Sequence, residues 1–312
     1  LGTALESAQK LQGPAVSVVV VSCNTPRTLE KCLASLASQP AAEVLVIDCS
    51  DIDPTETLGP RFRGVTFHHF PDKLSIPEMR REGIRASTRE IVALTESWMT
   101  PSSNWVAALS DVHRRSPEAA AVGGPVTFPC RGQNATLLAW ADYFSEYGEH
   151  VPGPAGGAEI TIAEKLTGAN CSYKRRALEA CRDLVDQAAW EHHVHDRLRQ
   201  QGHTLVRTAS ARVCYHRPCP PGELLRLRFA HGRAHAAGRL RESAWIARMA
   251  RGAAAPLVPW VLLWRQWRAA RRSPGMEKPF FAAAAWSWIL NTAWALGEAA
   301  FVGQTILSVK RA

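Results

Sequence analysis

The sequence predicts an α/β fold, a parallel sheet dressed with helices, followed by a basic helical tail. Three observations carry this reading. Apolar, β-branched runs at 16–21, 43–48 and 90–96 lack the alternation of half-exposed strands; strands buried on both faces of a parallel sheet look like this. Segments of helical period, 28–38 and 77–87, stand between such runs, and strand–helix alternation builds α/β sheets. The charge is divided: of 312 residues, 223–312 hold 14 Lys+Arg against 4 Asp+Glu and seven of the 11 Trp, whereas 1–222 hold 23 against 24.

The elements follow in order. A short helical lead precedes Val16-Ser-Val-Val-Val-Val21, which ends in Ser22-Cys-Asn-Thr-Pro26. Leu29, Cys32, Leu33 and Leu36 mark one helical face. Glu43-Val-Leu-Val-Ile-Asp48 is the second strand, closed by Cys49-Ser50-Asp51, and 65–70 is the third. A helix over 77–87 leads to the fourth strand at 90–96. A helix over 104–115, a strand and turn at 121–126, a Gly/Pro loop at 151–158 and the segment 166–173 come next. Helices over 175–181 and 190–201, the latter closed by Gly202, precede a last strand at 204–213. The expected domains are therefore 14–222 and 223–312.

With 46% apolar and 21% charged residues the chain buries a real core, which excludes disordered and fibrous classes. No Gly-x-Gly-x-x-Gly and no Gly-x-x-x-x-Gly-Lys follows a strand, which disfavours dinucleotide and P-loop sites. No nucleic-acid motif accompanies the net charge of +9, so nucleic acid is not an expected partner. The eight Cys contain no Cys-x-x-Cys pair and read as reduced structural thiols. The polar segment 1–13 shows no signal-peptide core.

Ligands of open α/β sheets bind outside the carboxyl ends of the strands. Here those ends carry Ser22 and Asn24, Asp48 and Asp51, and Glu96. Taken with Thr167-Gly-Ala-Asn-Cys-Ser-Tyr-Lys-Arg, Trp190-Glu191 with Arg197-Leu198 and Gly202, and Phe229-Ala-His-Gly-Arg233, the series resembles the family-2 glycosyltransferases over about 14–240. The resemblance implies a GT-A nucleotide-sugar-binding, Rossmann-like domain and an inverting transfer of sugar from a nucleotide-sugar donor to a glycan or lipid-linked acceptor, with a polyprenyl-phosphate glycosyltransferase or a catalytically decayed, membrane-attached nucleotide-sugar-binding protein as the alternatives. It places the catalytic base at Glu191, nucleotide contacts at Ser22, Asn24, Asp48 and Asp51, and the acceptor side at Gly168 and Asn170. It puts Leu94-Thr-Glu-Ser-Trp98 where the family carries its metal-binding Asp-x-Asp, with Glu96 as the lone carboxylate toward Mg²⁺ or Mn²⁺.

Chemistry adds to this. Arg80 and Arg81 suit the leaving diphosphate as cationic donors, or form a solvated helix face. Glu191 follows Ala-Ala-Trp, a setting that desolvates a carboxylate and raises its pKa, although a helix N-terminus favours the anion. Gly168 and Asn170 present donors to an acceptor or form a tight turn. His192, His193 and His195 cluster beside Glu191, but helical spacing does not put adjacent residues on one face, so a three-His zinc site is not expected. In the tail, 279–297 is uncharged for 19 residues, close to the length that spans a bilayer. Trp and Arg together suit a membrane interface, so the tail spans, lies in plane or packs as a hairpin. The expected location is the cytoplasmic side of a membrane.

Overall fold

The computed structural model describes residues 15–41, 43–130, 132–153, 159–217, 220–240 and 245–309. The expected helical lead and part of the 151–158 loop lie outside them. The elements are β1 (Val16–Ser22), α1 (Pro26–Leu36), β2 (Glu43–Asp48), one-turn α2 (Thr55–Leu58), β3 (Val65–His69), α3 (Ile76–Ala86), β4 (Ile91–Glu96), β5 (Met99–Pro101), α4 (Trp105–Arg115), β6 (Ala119–Gly123) and β7 (Val126–Thr127). Then come α5 (Leu137–Tyr147), β8 (Ile160–Ile162), β9 (Asn170–Lys174), α6 (Arg175–Ala180), α7 (Arg182–Asp186), α8 (Glu191–Gln200), β10 (Thr204–Thr208) and β11 (Val213–Tyr215). Four helices follow among the described residues: α9 (Pro221–Leu240), α10 (Trp245–Ala254), α11 (Val258–Ala270) and α12 (Glu277–Val309).

Two compact units result, Leu1–Arg131 with Ala155–His216, and Gly132–Pro154 with Arg217–Ala312. The helical insert around α5 thus groups with the C-terminal helices, which its position in the sequence conceals.

In the first unit an eight-stranded sheet runs β3-β2-β1-β4-β9-β6-β10-β8. β3, β2, β1 and β4 are parallel, and β9 enters antiparallel between β4 and β6. Val18, Val19 and Val20 are fully buried, as an unbroken apolar run requires of a central strand. Register aligns Ser22 with Asp48 and Val21 with Glu96, so the three strand ends form one edge. The expected last strand at 204–213 divides: β10 stays in the large sheet, while β11 joins a small sheet ordered β5-β11-β7.

Helix α3 begins with a capping box between Ser75 and Glu78 and has Pro77 in its first turn. A Cβ on its Gly83 would stand 2.2 Å from Val19 Cγ1. Only glycine allows the helix this close to β1, and that approach aims Arg80, one turn earlier, at the strand ends.

The parallel pairing of β7 with β11 sets Cys130 beside Cys214, and a disulfide joins them. This corrects the reading of all eight Cys as thiols; the pair is 84 residues apart, beyond any spacing rule. Cys219 lies outside the described residues.

In the second unit α9 and α12 meet backbone to backbone. A Cβ on Gly232 would fall 1.9 Å from the Trp294 carbonyl oxygen, and one on Gly297 would fall 2.0 Å from that of Phe229. The Phe229-Ala-His-Gly-Arg233 stretch therefore serves helix packing. Gln266 and Asn291 exchange side-chain hydrogen bonds at 3.0 and 3.2 Å, and buried Glu298 accepts from Arg251 at 2.8 Å. Among the described residues no helix is long and apolar enough to cross a membrane. The uncharged stretch at 279–297 instead buries Ala283, Ser287, Leu290 and Asn291 within this unit.

Candidate active site

The carboxyl edge of the sheet begins with Asn24. It follows β1 in the left-handed region at φ 55°, a conformation short amide side chains tolerate. Its Nδ2 donates to Asp51 at 2.9 Å, and the Asp51 backbone N–H donates back to Asn24 Oδ1 at 2.9 Å. Asp51 is exposed and pairs with Lys73 at 2.6 Å; Lys73 Nζ also donates to the Cys49 carbonyl at 2.8 Å. Lys73 is the cation that sequence reasoning missed. It lies in the β3–α3 turn, and only its place after a strand end could have marked it.

Asp48 and Ser22 sit behind this edge. Asp48 is 1% exposed, and its carboxylate accepts from the Ser50 N–H at 2.9 Å and the Ser50 hydroxyl at 2.8 Å, with His69 Nδ1 at 3.1 Å. It shapes the turn that carries Asp51. Ser22 is likewise buried, 3.5 Å from the Thr25 hydroxyl.

The centre of the site is Arg80. Its two terminal nitrogens donate to Glu96 and to Glu191, each at 2.7 Å. Glu96 ends β4, Glu191 opens α8, and Arg80 reaches both from α3. The second Glu191 oxygen accepts from the Gly168 backbone N–H at 3.2 Å. A Cβ on Gly168 would stand 2.3 Å from the Arg80 guanidinium carbon, so a side chain there would displace the arginine. Arg81 is not brought to this cluster: its Nε donates to Glu82 at 2.8 Å. A pocket between α3, β9 and α8, lined by Pro77, Arg81, Leu94 and Tyr173, opens beside Arg80 and Glu191.

Two expectations are corrected. Burial pushes the Glu191 carboxyl up, but Arg80 and the backbone N–H groups pull it further down, so it lies below the ordinary carboxylate range rather than above it. Asn170 is fully buried; it accepts from the Trp105 indole at 2.7 Å and donates to the carbonyls of Pro125 and Ala211 at 3.0 and 2.8 Å. Its amide ties β9 to the segments leading into the small sheet, leaving nothing for an acceptor. His195 turns inward to the Tyr173 hydroxyl at 2.7 Å, apart from His192 and His193.

Against this geometry, the glycosyl transferase family 2 model matches residues 17–180. The chain belongs to glycosyl transferase family 2. No curated protein matches the sequence. A mannosyltransferase from Pyrobaculum calidifontis, solved with GDP-Man and Mn²⁺, is similar in structure, with a TM-score of 0.51 and 17% identity over 96% of this chain and 76% of its own. GalNAc-T7, solved with UDP, GalNAc and Mn²⁺, gives a TM-score of 0.50 and 14% identity over 65% of this chain and 44% of its own. At these identities the likeness shows the fold, a mixed α/β sheet of the GT-A kind.

Both neighbours hold Mn²⁺. The residues at the end of β4 do not by themselves fit a divalent ion. Glu96 is the one carboxylate between Thr95 and Ser97, and one of its oxygens already faces the Arg80 guanidinium. A buried positive charge at that distance opposes a second cation. The Ser97 hydroxyl is bonded to that of Thr25. Among the described residues, only Cys130, Cys214 and His216 bring three possible ligand atoms together, and the disulfide engages two of them.

Proposed function

We propose that this family-2 enzyme is an inverting glycosyltransferase that moves a sugar from a nucleotide-sugar donor to a glycan or lipid-linked acceptor at the cytoplasmic face of a membrane. The observation that carries the transfer reading is the convergence of Arg80, Glu96 and Glu191 beside a strand edge that ends in Asn24 and Asp51. Asn24, Asp51 and Lys73 are the exposed polar groups of that edge, and they suit the base, ribose or phosphate of the donor. Asp48 and Ser22 act behind them by holding the turns.

Arg80 is the fixed cation nearest the reacting centre. Donor phosphates compete with the two carboxylates for its guanidinium, since phosphate and carboxylate fit the same planar donor pair. Drawing Arg80 toward the phosphates weakens its hold on Glu191. Burial then raises the Glu191 pKa, and the carboxylate becomes a better base for the acceptor hydroxyl. Donor binding and base activation are thereby coupled, with no step assigned to a metal.

The test is Glu191→Gln, which keeps the shape and removes the base. Turnover, measured by nucleotide release across a panel of UDP- and GDP-sugars, should fall about 10²-fold or more while UDP or GDP binding persists. Near-normal turnover would place the base elsewhere. The same nucleotide binding, followed by thermal shift, should be insensitive to EDTA and to added Mn²⁺; strong dependence on Mn²⁺ would overturn the role given to Arg80. A second reading is a nucleotide-sugar-binding protein without turnover. It is favoured by the engagement of both Glu191 oxygens, and binding with no turnover on any donor would select it.

A further inference from the structure

Among the described residues, the exposed large apolar side chains are distributed unevenly. The first unit shows only Ile52 and Ile162, and the rest belong to the second. Eight of these come from α11, the turn just before it, and α12. Leu257, Trp260, Val261 and Trp264 recur at spacings of three and four residues and so line one helix face. On α12, Phe281, the pair Trp288 and Ile289, and Leu296 are set seven or eight residues apart, about two turns, and likewise line one face. The rings of Trp260 and Trp288 lie 5.9 Å apart, which joins the two stripes into one surface. Eight such side chains, each between a third and two thirds exposed, present on the order of several hundred Å² of apolar surface, the size that marks an interaction site.

The rim of this surface is basic. Arg265 and Arg268 continue the exposed face of α11 by the same spacing, exposed Arg271 and Arg272 follow in the turn to α12, and exposed Lys278 stands in the first turn of α12. The Arg268 guanidinium stands 5.4 Å from the Trp264 ring centroid and that of Arg271 4.9 Å from Trp267, so charged heads and aromatic bodies occupy one level. The acids nearby are Glu277 and Glu149, the latter paired with Arg265 at 2.6 Å. The opposite faces of the two helices bury Gln266, Ser287, Asn291 and Glu298 within the unit. Those polar groups belong inside the bundle, so the helices offer lipid one face and not their whole circumference.

We propose that this Trp/Arg face of α11 and α12 docks in the plane of an anionic lipid bilayer, its apolar side chains entering the headgroup boundary and its arginines meeting lipid phosphates. Charge decides the occupant. A second copy of the chain would bring two basic rims together, whereas anionic headgroups complement them. The docking names the surface behind the membrane location proposed above. It is measured without a donor sugar, so its failure and the failure of the transfer reading are separable.

The experiment is co-sedimentation of the full chain with phosphatidylcholine vesicles, with and without phosphatidylglycerol. Binding to the anionic vesicles is expected, with a blue shift of Trp fluorescence and a residue of binding that survives high salt, because inserted apolar surface is not screened. Trp260→Ala with Trp264→Ala should weaken the partition at least about tenfold, while Trp260→Phe retains most of it. Arg268→Gln with Arg271→Gln should reduce the preference for phosphatidylglycerol at least about tenfold. Thermal midpoints and UDP or GDP binding of each variant verify folding. Three results would overturn the proposal: no sedimentation with anionic vesicles, binding unchanged by the Trp substitutions, or a dimer in sedimentation velocity that the Trp substitutions dissociate.

Discussion

Replacing Arg80 by Met removes the charge at the centre of the site while keeping an unbranched side chain. Only 8% of the Arg80 side chain is exposed, against 5% for Glu96 and 20% for Glu191. Removing one partner of a buried ion pair costs about 3–5 kcal/mol, because a charge is left without compensation. Here two carboxylates lose the same partner, but Glu191 keeps the Gly168 N–H and some solvent. We expect a loss of about 4 kcal/mol at neutral pH. The pH dependence has a definite sign. In the wild type the Glu191 pKa lies below its ordinary value of about 4.5, burial being outweighed by Arg80. The stability this contributes is present above pH 4.5 and lost as pH falls through the folded-state pKa. Without Arg80, burial is opposed only by the weaker backbone N–H bonds, the folded-state pKa rises, and folding of the variant takes up protons. The gap between wild type and variant therefore narrows from neutral pH toward pH 4.5. Urea unfolding followed by circular dichroism at several pH values measures this, and adding Glu96→Gln and Glu191→Gln to Arg80→Met should recover most of the loss. A cost below about 1 kcal/mol, the worth of an exposed pair, would refute the reasoning. So would a gap that widens in acid, or a triple variant no better than the single one.

Two further expectations concern the scaffold. Asn170→Ala strips partners from the Trp105 indole and two carbonyls inside the protein, and should cost about 3 kcal/mol or more in chemical unfolding without altering UDP or GDP affinity of the folded protein. Burial holds His195 neutral, with its pKa pushed down to about 4 from 6.5; its contribution is whole above pH 6.5 and is lost as pH falls toward 4, on the order of 3 kcal/mol, and a His195→Gln variant should show a flatter acid limb in a stability–pH profile.

Local pattern determined much of this protein. The buried runs of β1, β2 and β4, the capping box of α3 and the helix opening at Glu191 are all legible in neighbouring residues, because burial on both faces, cap chemistry and helical period are short-range properties. With them came the strand-edge row of Asn24, Asp51 and Glu96 and the family itself. The tertiary structure decided what those residues do. Arg80 meets Glu96 across 16 positions and Glu191 across 111, and that double contact reverses the pKa shift expected of Glu191 from its apolar neighbours. Asn170, by sequence an acceptor-side or turn residue, proves to be a buried tie, and Cys130 finds Cys214 only through β7 and β11. In α12 apolar residues occupy every face, so no period distinguishes the buried Leu290 from the exposed Leu296. A side chain's charge and size are written at its own position, but its dielectric surroundings and partners are set by elements brought together from distant parts of the chain.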